Sequence, residues 1–217
     1  MTWKRYAIYW LPDGALGALG AAWLGWDART GQAGTPMVDA PKAQSYGFHA
    51  TLKPPFRLAA GTDAAELAAR VRDVAAGLTP VQLGALSVEM LGSFAALRPE
   101  ATEGIGQVAK RFVEALDSFR APASTADLAR RRASGLTAAQ EANLMAWGYP
   151  FVMGEFRPHL TLSGNGADDD LVARARAHFS AVTGKPVELK AVSLVGQAED
   201  GRFHLIEDLP LGHSARS

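Results

Sequence analysis

Tyr46-Gly47-Phe48-His49-Ala50-Thr51-Leu52-Lys53-Pro54-Pro55-Phe56 contains a His-x-Thr-Leu pattern, and the pattern returns in Phe156-Arg157-Pro158-His159-Leu160-Thr161-Leu162-Ser163. Each stretch reads as a strand. Successive side chains of a strand point to opposite faces, so a histidine and a threonine two apart share one face, with the apolar residue between them buried behind. Each copy therefore offers an imidazole and a hydroxyl side by side. The copies stand about half a chain apart in 217 residues, the spacing an internally duplicated fold gives when each half contributes one. The expected fold is α/β in the α+β sense. It has two similar lobes whose antiparallel sheets line a central cleft, with helices packed outside.

The residue types suit phosphate chemistry. Imidazole titrates near an unperturbed pKa of about 6.5, so one copy can take a proton while the other gives one. Cleaving a phosphodiester needs that division: the attacking oxygen loses a proton and the leaving oxygen gains one. Threonine hydroxyls supply donors for the non-bridging oxygens. Alternation extends both faces outward, placing Lys53 with His49 and Thr51, and Arg157 and Ser163 with His159 and Thr161. A cation is thus expected beside each histidine.

These two segments resemble the paired His-x-Thr motifs of the two-histidine phosphoesterases, relatives of the RNA 2′,5′-ligase and cyclic phosphodiesterase group. The fuller wording His49-Ala-Thr-Leu-Lys-Pro-Pro-Phe56, with the run Trp147-Gly-Tyr-Pro150 before the second motif, is similar to the branch whose genes accompany phosphonate-utilisation operons. The resemblance spans nearly the whole chain, from Arg5 to the region of Ser193. It implies one bilobal domain over 1–217 and a phosphoesterase activity.

Composition excludes several alternatives. With 48% hydrophobic residues the chain can bury a substantial core. The absence of cysteine removes disulfides, thiolate nucleophiles and thiolate-bound metals, and suits a reducing cytoplasm. The 22 basic and 22 acidic residues balance, so no global field attracts a long polyanion and a small phosphorylated substrate fits better than RNA. The apolar stretch after Lys4 and Arg5 is interrupted at Pro12-Asp13 and is shorter than the ~20 residues that a membrane span needs, so no membrane partner is expected. No cofactor is expected either: no His-x-His and no carboxylate lies beside either histidine, and no complete glycine-rich nucleotide fingerprint occurs.

The rest of the chain alternates strand and helix patterns. A first strand and an Ala-rich helix to about Trp26 flank the Pro12-Asp13-Gly14 turn. Asp63 and Glu66 open a helix whose stripe is Leu67, Val71, Val74 and Leu78, ended by Gly77. Two strands joined at Gly92 are expected over 81–97. Thr102 is placed to cap a helix with Ile105, Val108, Phe112, Leu116 and Phe119 on its buried face. A last helix runs from Asp168 towards Gly184, and strands over 187–194 and 202–206 finish the chain. The lobes are expected to divide at about residue 100, as 1–100 and 101–217.

One segment lacks a counterpart in the first half. Residues 122–150 read as an inserted helical hairpin with Arg130-Arg131-Arg132 in its middle and a capping box at Thr137 and Gln140. It is either a lid offering arginine to a second phosphate or a packing helix with a solvated arginine face. Tyr149 precedes the second motif closely enough to reach the cleft. His178, His204 and His213 have no threonine partner and are expected to be surface, edge or tail residues.

His49 and His159 are therefore expected to form the proton-transfer pair. Thr51, Thr161, Lys53, Arg157 and Tyr149 are expected to contact a small cyclic phosphodiester or phosphorylated sugar or nucleotide, without a metal. Two alternatives stay open: an RNA-end substrate, and a module that binds a phosphorylated metabolite without turning it over.

Overall fold

A computed structural model describes residues 3–133 and 135–212; His213 lies outside them. β1 (Arg5–Trp10) leads into α1 (Gly14–Leu24), which ends at Gly25 in the left-handed conformation that glycine adopts without a Cβ penalty. The short strands β2 (Trp26–Asp27) and β3 (Gln32–Ala33), then α2 (Pro41–Tyr46), bring the chain to β4 (Ala50–Phe56). In α3 (Ala64–Ala76) the expected cap is present: the Asp63 carboxylate accepts from the Ala65 and Glu66 N–H groups, and Glu66 accepts from the Asp63 N–H. β5 (Val81–Leu91) and β6 (Phe94–Pro99) turn at Gly92.

α4 (Glu103–Ala115) buries Ile105, Val108 and Phe112 as the pattern predicts. Thr102 occupies its N-cap position without capping, because its backbone is already helical (φ −111°, ψ −18°) and the hydroxyl makes no cap hydrogen bond. The expected hairpin is α5 (Thr125–Arg132) and α6 (Ala138–Trp147), with the Thr137–Gln140 capping box in place. β7 (Leu160–Thr161) is only two residues long. α7 (Asp169–Phe179) stops before Gly184, so Val182 lies beyond it. β8 (Pro186–Leu189), β9 (Ala191–Gln197) and β10 (Phe203–Pro210) complete the chain.

The strands form two four-stranded antiparallel sheets, in the orders β10-β9-β1-β4 and β7-β6-β5-β8, beside the small β2-β3 pair. The expected lobe boundary is not the one the sheets follow. β5 and β6, before residue 100, belong to the second sheet, while the C-terminal β9 and β10 return to the first. The crossing occurs at Lys190, between β8 and β9, where the sequence reads as one strand. β9 is central and covered on both faces, so Val192, Ser193, Leu194 and Val195 are all buried and no period-two break marks the step.

One continuous core lies between the sheets and the outer helices. It includes Ile8, Trp10 and Leu52 from the first sheet, Leu86, Leu97 and Leu160 from the second, and Leu67, Phe112 and Phe179 from helices. Each such large side chain contributes roughly 1.5–3 kcal/mol by leaving water. A smaller cluster, Ala7, Tyr9, Trp26, Val195 and Phe203, occupies the opposite face of the first sheet. No helix among the described residues is long and apolar enough to cross a membrane.

Candidate functional site

Both motif strands are edge strands of their sheets, and β4 and β7 lie against one another. His49 and His159 each immediately precede one of these strands, so the topology brings the two copies to one place. Between them opens a cleft of about 1290 Å³ lined by His49, Thr51, His159 and Thr161, with Arg157 and Tyr149.

The two imidazoles are held in the same way. His49 Nδ1–H donates to the Gly47 carbonyl at 2.8 Å, and His159 Nδ1–H donates to the Arg157 carbonyl at 2.6 Å, each two residues back along the chain. A carbonyl only accepts, so the proton of the neutral ring sits on Nδ1 and Nε2 carries the lone pair. Thr51 Oγ1–H donates to His49 Nε2 at 3.0 Å. Gly47 makes the first arrangement possible. It ends α2 at φ +75°, where a side chain would be strained, and an added Cβ would stand 2.9 Å from that of Ala28. Around the rings, Tyr9 stacks on His49 with 3.9 Å between centroids, Tyr46 lies 5.7 Å from it, and Phe94 lies 5.5 Å from His159.

Burial dominates the electrostatics. It lowers the His49 pKa from 6.5 to about 4, the Gly47 carbonyl partly opposes this, and His159 adds a smaller downward push. His159 is also lowered, by burial first and by Arg98, against the Arg157 carbonyl. Each ring still reaches the cleft at one edge. Both are neutral bases at neutral pH, and an anion placed between them is what would favour a charged form.

The expected role of Lys53 is overturned. Across β1 and β4 the register runs Trp10↔Ala50, Tyr9↔Thr51, then Ile8↔Lys53, so one extra residue enters β4 at Leu52. This bulge flips the alternation, and Lys53 follows Ile8 into the core while Thr51 stays with Tyr9 on the cleft face. Lys53 is 2% exposed, and its Nζ donates at 3.1 Å to the Val113 carbonyl in the last turn of α4. Burial lowers its pKa to about 8.

The remaining expected residues divide. Arg157 is exposed at the cleft, with Nη1 donating to the Gly154 and Phe156 carbonyls. Tyr149 lines the cleft under the Arg131 guanidinium, 4.4 Å above its ring. Ser163 accepts from the Ala95 N–H and donates to the Gly164 carbonyl, so its hydroxyl is occupied by the fold. His178 lies away from the cleft, where Nε2–H donates to the Leu19 carbonyl and ties α7 to α1, and His204 packs against Trp26. Among the described residues no group of three or more His, Cys, Asp or Glu is placed to hold a metal ion.

Several site residues carry no motif. Arg5, which donates to Gln197 Oε1, shares a face with Ala7 and Tyr9, and the period of two in Arg5-Tyr-Ala-Ile-Tyr9 was the signal for both. Tyr46 stands inside the first motif segment but is delivered by α2, a helix the sequence reading did not resolve. Seven Lys and Arg residues line the cleft against three carboxylates, Asp39, Asp127 and Glu155, in a chain whose formal charge is zero.

Residues 51–204 match the family described as Protein of unknown function (DUF1045); the match starts two residues after His49. Among curated proteins, the chain is 34% identical over 218 residues to the ribose 1,5-bisphosphate phosphokinase PhnN of Janthinobacterium sp. (strain Marseille), covering 91% of this chain and 48% of that protein. It is 36% identical over 198 residues to the protein of the same name from Laribacter hongkongensis (strain HLHK9), covering 85% and 46%. The chain thus spans about half the length of the curated relatives it matches. Similar solved structures include E. coli LigT complexed with NADP+ (TM-score 0.49, 14% identity, 98% of this chain and 100% of that chain). TT0787 of Thermus thermophilus is another (0.48, 17%, 97% and 100%).

Proposed function

We propose that this chain, which belongs to the DUF1045 family, is a phosphoesterase that opens a small cyclic phosphodiester on a sugar phosphate or nucleotide, with His49 and His159 as its proton-transfer pair. One observation carries the reading. Two imidazoles, each with Nδ1 tied to the carbonyl two residues back, share one cleft with Thr51 and Thr161 in a lining richer in cations than in carboxylates.

In the proposed reaction a water oxygen bonds to phosphorus as Nε2 of one of the two imidazoles takes its proton. The bond from phosphorus to the leaving ring oxygen breaks, and the other imidazole, protonated beforehand, gives that oxygen a proton, leaving a phosphomonoester and a hydroxyl. Burial lowers the pKa of both imidazoles, so each is neutral before substrate binds and either can serve as the base. Its counterpart, protonated in the field of the bound phosphate, is then the acid. On binding, the Thr51 hydroxyl turns from His49 Nε2 to a non-bridging oxygen and frees that nitrogen, Thr161 donates to another, and Arg157 offsets their charge at the rim. Tyr149 forms a wall for the organic part of the substrate.

The name of the curated relatives supports a phosphorylated ribose as the organic part, in line with the link to phosphonate use that the motif wording implies. Their kinase activity is not carried over, since it calls for a nucleotide-binding loop and no complete fingerprint occurs in this chain.

Turnover of 2′,3′-cyclic nucleotides, cyclic ribose phosphates and a short 2′,5′-linked RNA, with EDTA present, tests the proposal. Cleavage of a small cyclic ester that survives chelation, and is lost in both His49→Ala and His159→Ala, is the expected result. Cleavage of the RNA alone would move the substrate to RNA ends. Tight binding of these ligands without turnover would make the chain a binding module and sink the catalytic assignment.

A further inference from the structure

The arginine triplet of α5 is not one solvated face. Arg132 turns away to Glu141 on α6, at 2.5 Å, whereas Arg130 and Arg131 line the cleft. Arg130 donates to Asp127 at 2.5 Å, and Arg57, on the chain leaving β4, donates to the same carboxylate at 3.0 Å. Hydrogen bonds from Ser124 first, then from Arg130 and Arg57, hold the Asp127 carboxyl well below the usual carboxylate range. One permanently ionised carboxylate thus orients two guanidiniums and leaves their sum positive. The hairpin's root is fixed to the same stretch, for Ala121 N–H donates to the Arg57 carbonyl at 2.8 Å and Ala59 N–H to the Phe119 carbonyl at 2.9 Å. Arg131 rests on Tyr149, whose hydroxyl lies within the electrostatic reach of Tyr46, the ring beside His49. The arginines therefore line the same cleft as the imidazoles.

We infer that Arg130 and Arg131, with Arg57 behind them, form a second anion subsite that takes a phosphomonoester carried by the substrate in addition to the phosphate being cleaved. The inference rests on the proposed phosphoesterase reading for the first phosphate, and it names the substrate class: a small sugar or nucleoside bearing two phosphates. Guanidiniums suit this task because their planar donor forks match phosphate oxygens in pairs. The excess of cations in the lining exceeds what one singly charged diester requires. The inserted hairpin is then a specificity element, since the first half of the chain has no counterpart to it.

The test uses adenosine 2′,3′-cyclic phosphate with and without a 5′-phosphate as substrates, and adenosine 3′-phosphate and adenosine 3′,5′-bisphosphate as titrants in calorimetry. A second phosphate is expected to improve kcat/KM and Kd by about tenfold or more in the wild type, as a charged hydrogen-bonded contact does. Arg130→Ala and Arg131→Ala are expected to erase most of that gain while weakening the singly phosphorylated ligands much less; Arg131→Lys should recover part of it. Equal affinity for the two titrants in the wild type, or equal weakening of both in the variants, overturns the subsite. If neither cyclic ester is hydrolysed but the titrants still differ, the catalytic reading fails and the subsite stands.

Discussion

The ring of Tyr9 lies on the imidazole of His49, 3.9 Å between centroids and 25° between planes, and its hydroxyl is buried with no hydrogen-bond partner among the described residues. The stack fixes the plane of an imidazole that Gly47 and Thr51 hold only at its nitrogens. Tyr9→Phe keeps the stack and removes an unpartnered hydroxyl, whose burial costs roughly 1–3 kcal/mol. The expected result is retained turnover with a melting temperature equal to or a few degrees above wild type, at about 2–4 °C per kcal/mol for a chain this long. Tyr9→Leu frees the ring and is expected to lower kcat about tenfold with KM little changed. Steady-state kinetics and thermal melts of both variants check this.

Stability should fall in mild acid because of His49. Its pKa is 6.5 in the ordinary state and about 4 in the folded one. Between those values the unfolded chain binds the proton and the folded chain does not, so unfolding is favoured progressively as pH drops from about 6.5 to about 4 and no further below that. Urea unfolding across this window should show the wild type losing more stability than His49→Gln; parallel curves would contradict the buried neutral imidazole.

Lys53 acts over a different window. Its pKa falls from 10.5 to about 8 on folding, so over that interval the unfolded chain holds the extra proton and stability rises with pH. Relative to Lys53→Met, the wild type should gain stability between pH 8 and 10.5. Because the bulge turns Lys53 into the core, Lys53→Met is expected to keep kcat/KM within about twofold while shifting the melting temperature. A large loss of activity at unchanged stability would return Lys53 to the cleft.

Much of this was legible in the sequence, and the failures have physical causes. The paired motifs announced two strands and their shared face, and Asp63 with Glu66 and Thr137 with Gln140 announced helix starts, because these patterns are set by neighbours within four residues. Lys53 was misplaced because alternation assumes regular pairing, and a bulge is decided by the partner strand β1. Lys190 hid the step between sheets because a strand covered on both faces loses its period. The hairpin's place beside the cleft depends on backbone bonds from Ala121 to Arg57 and from Ala59 to Phe119, which no local pattern encodes. Thr102 shows the converse: a good capping residue whose backbone has entered the helix one residue early.

The central claim is that His49 and His159 act on one substrate as a single machine, and residues that act as a unit lose activity together rather than additively. The measurement is the single-turnover rate of the best cyclic substrate for wild type, His49→Ala, His159→Ala and the double variant. Each single substitution is expected to cost about 100-fold or more, with the double variant no slower than the slower single. Losses that multiply in the double variant, or a single variant that retains wild-type rate, would contradict it.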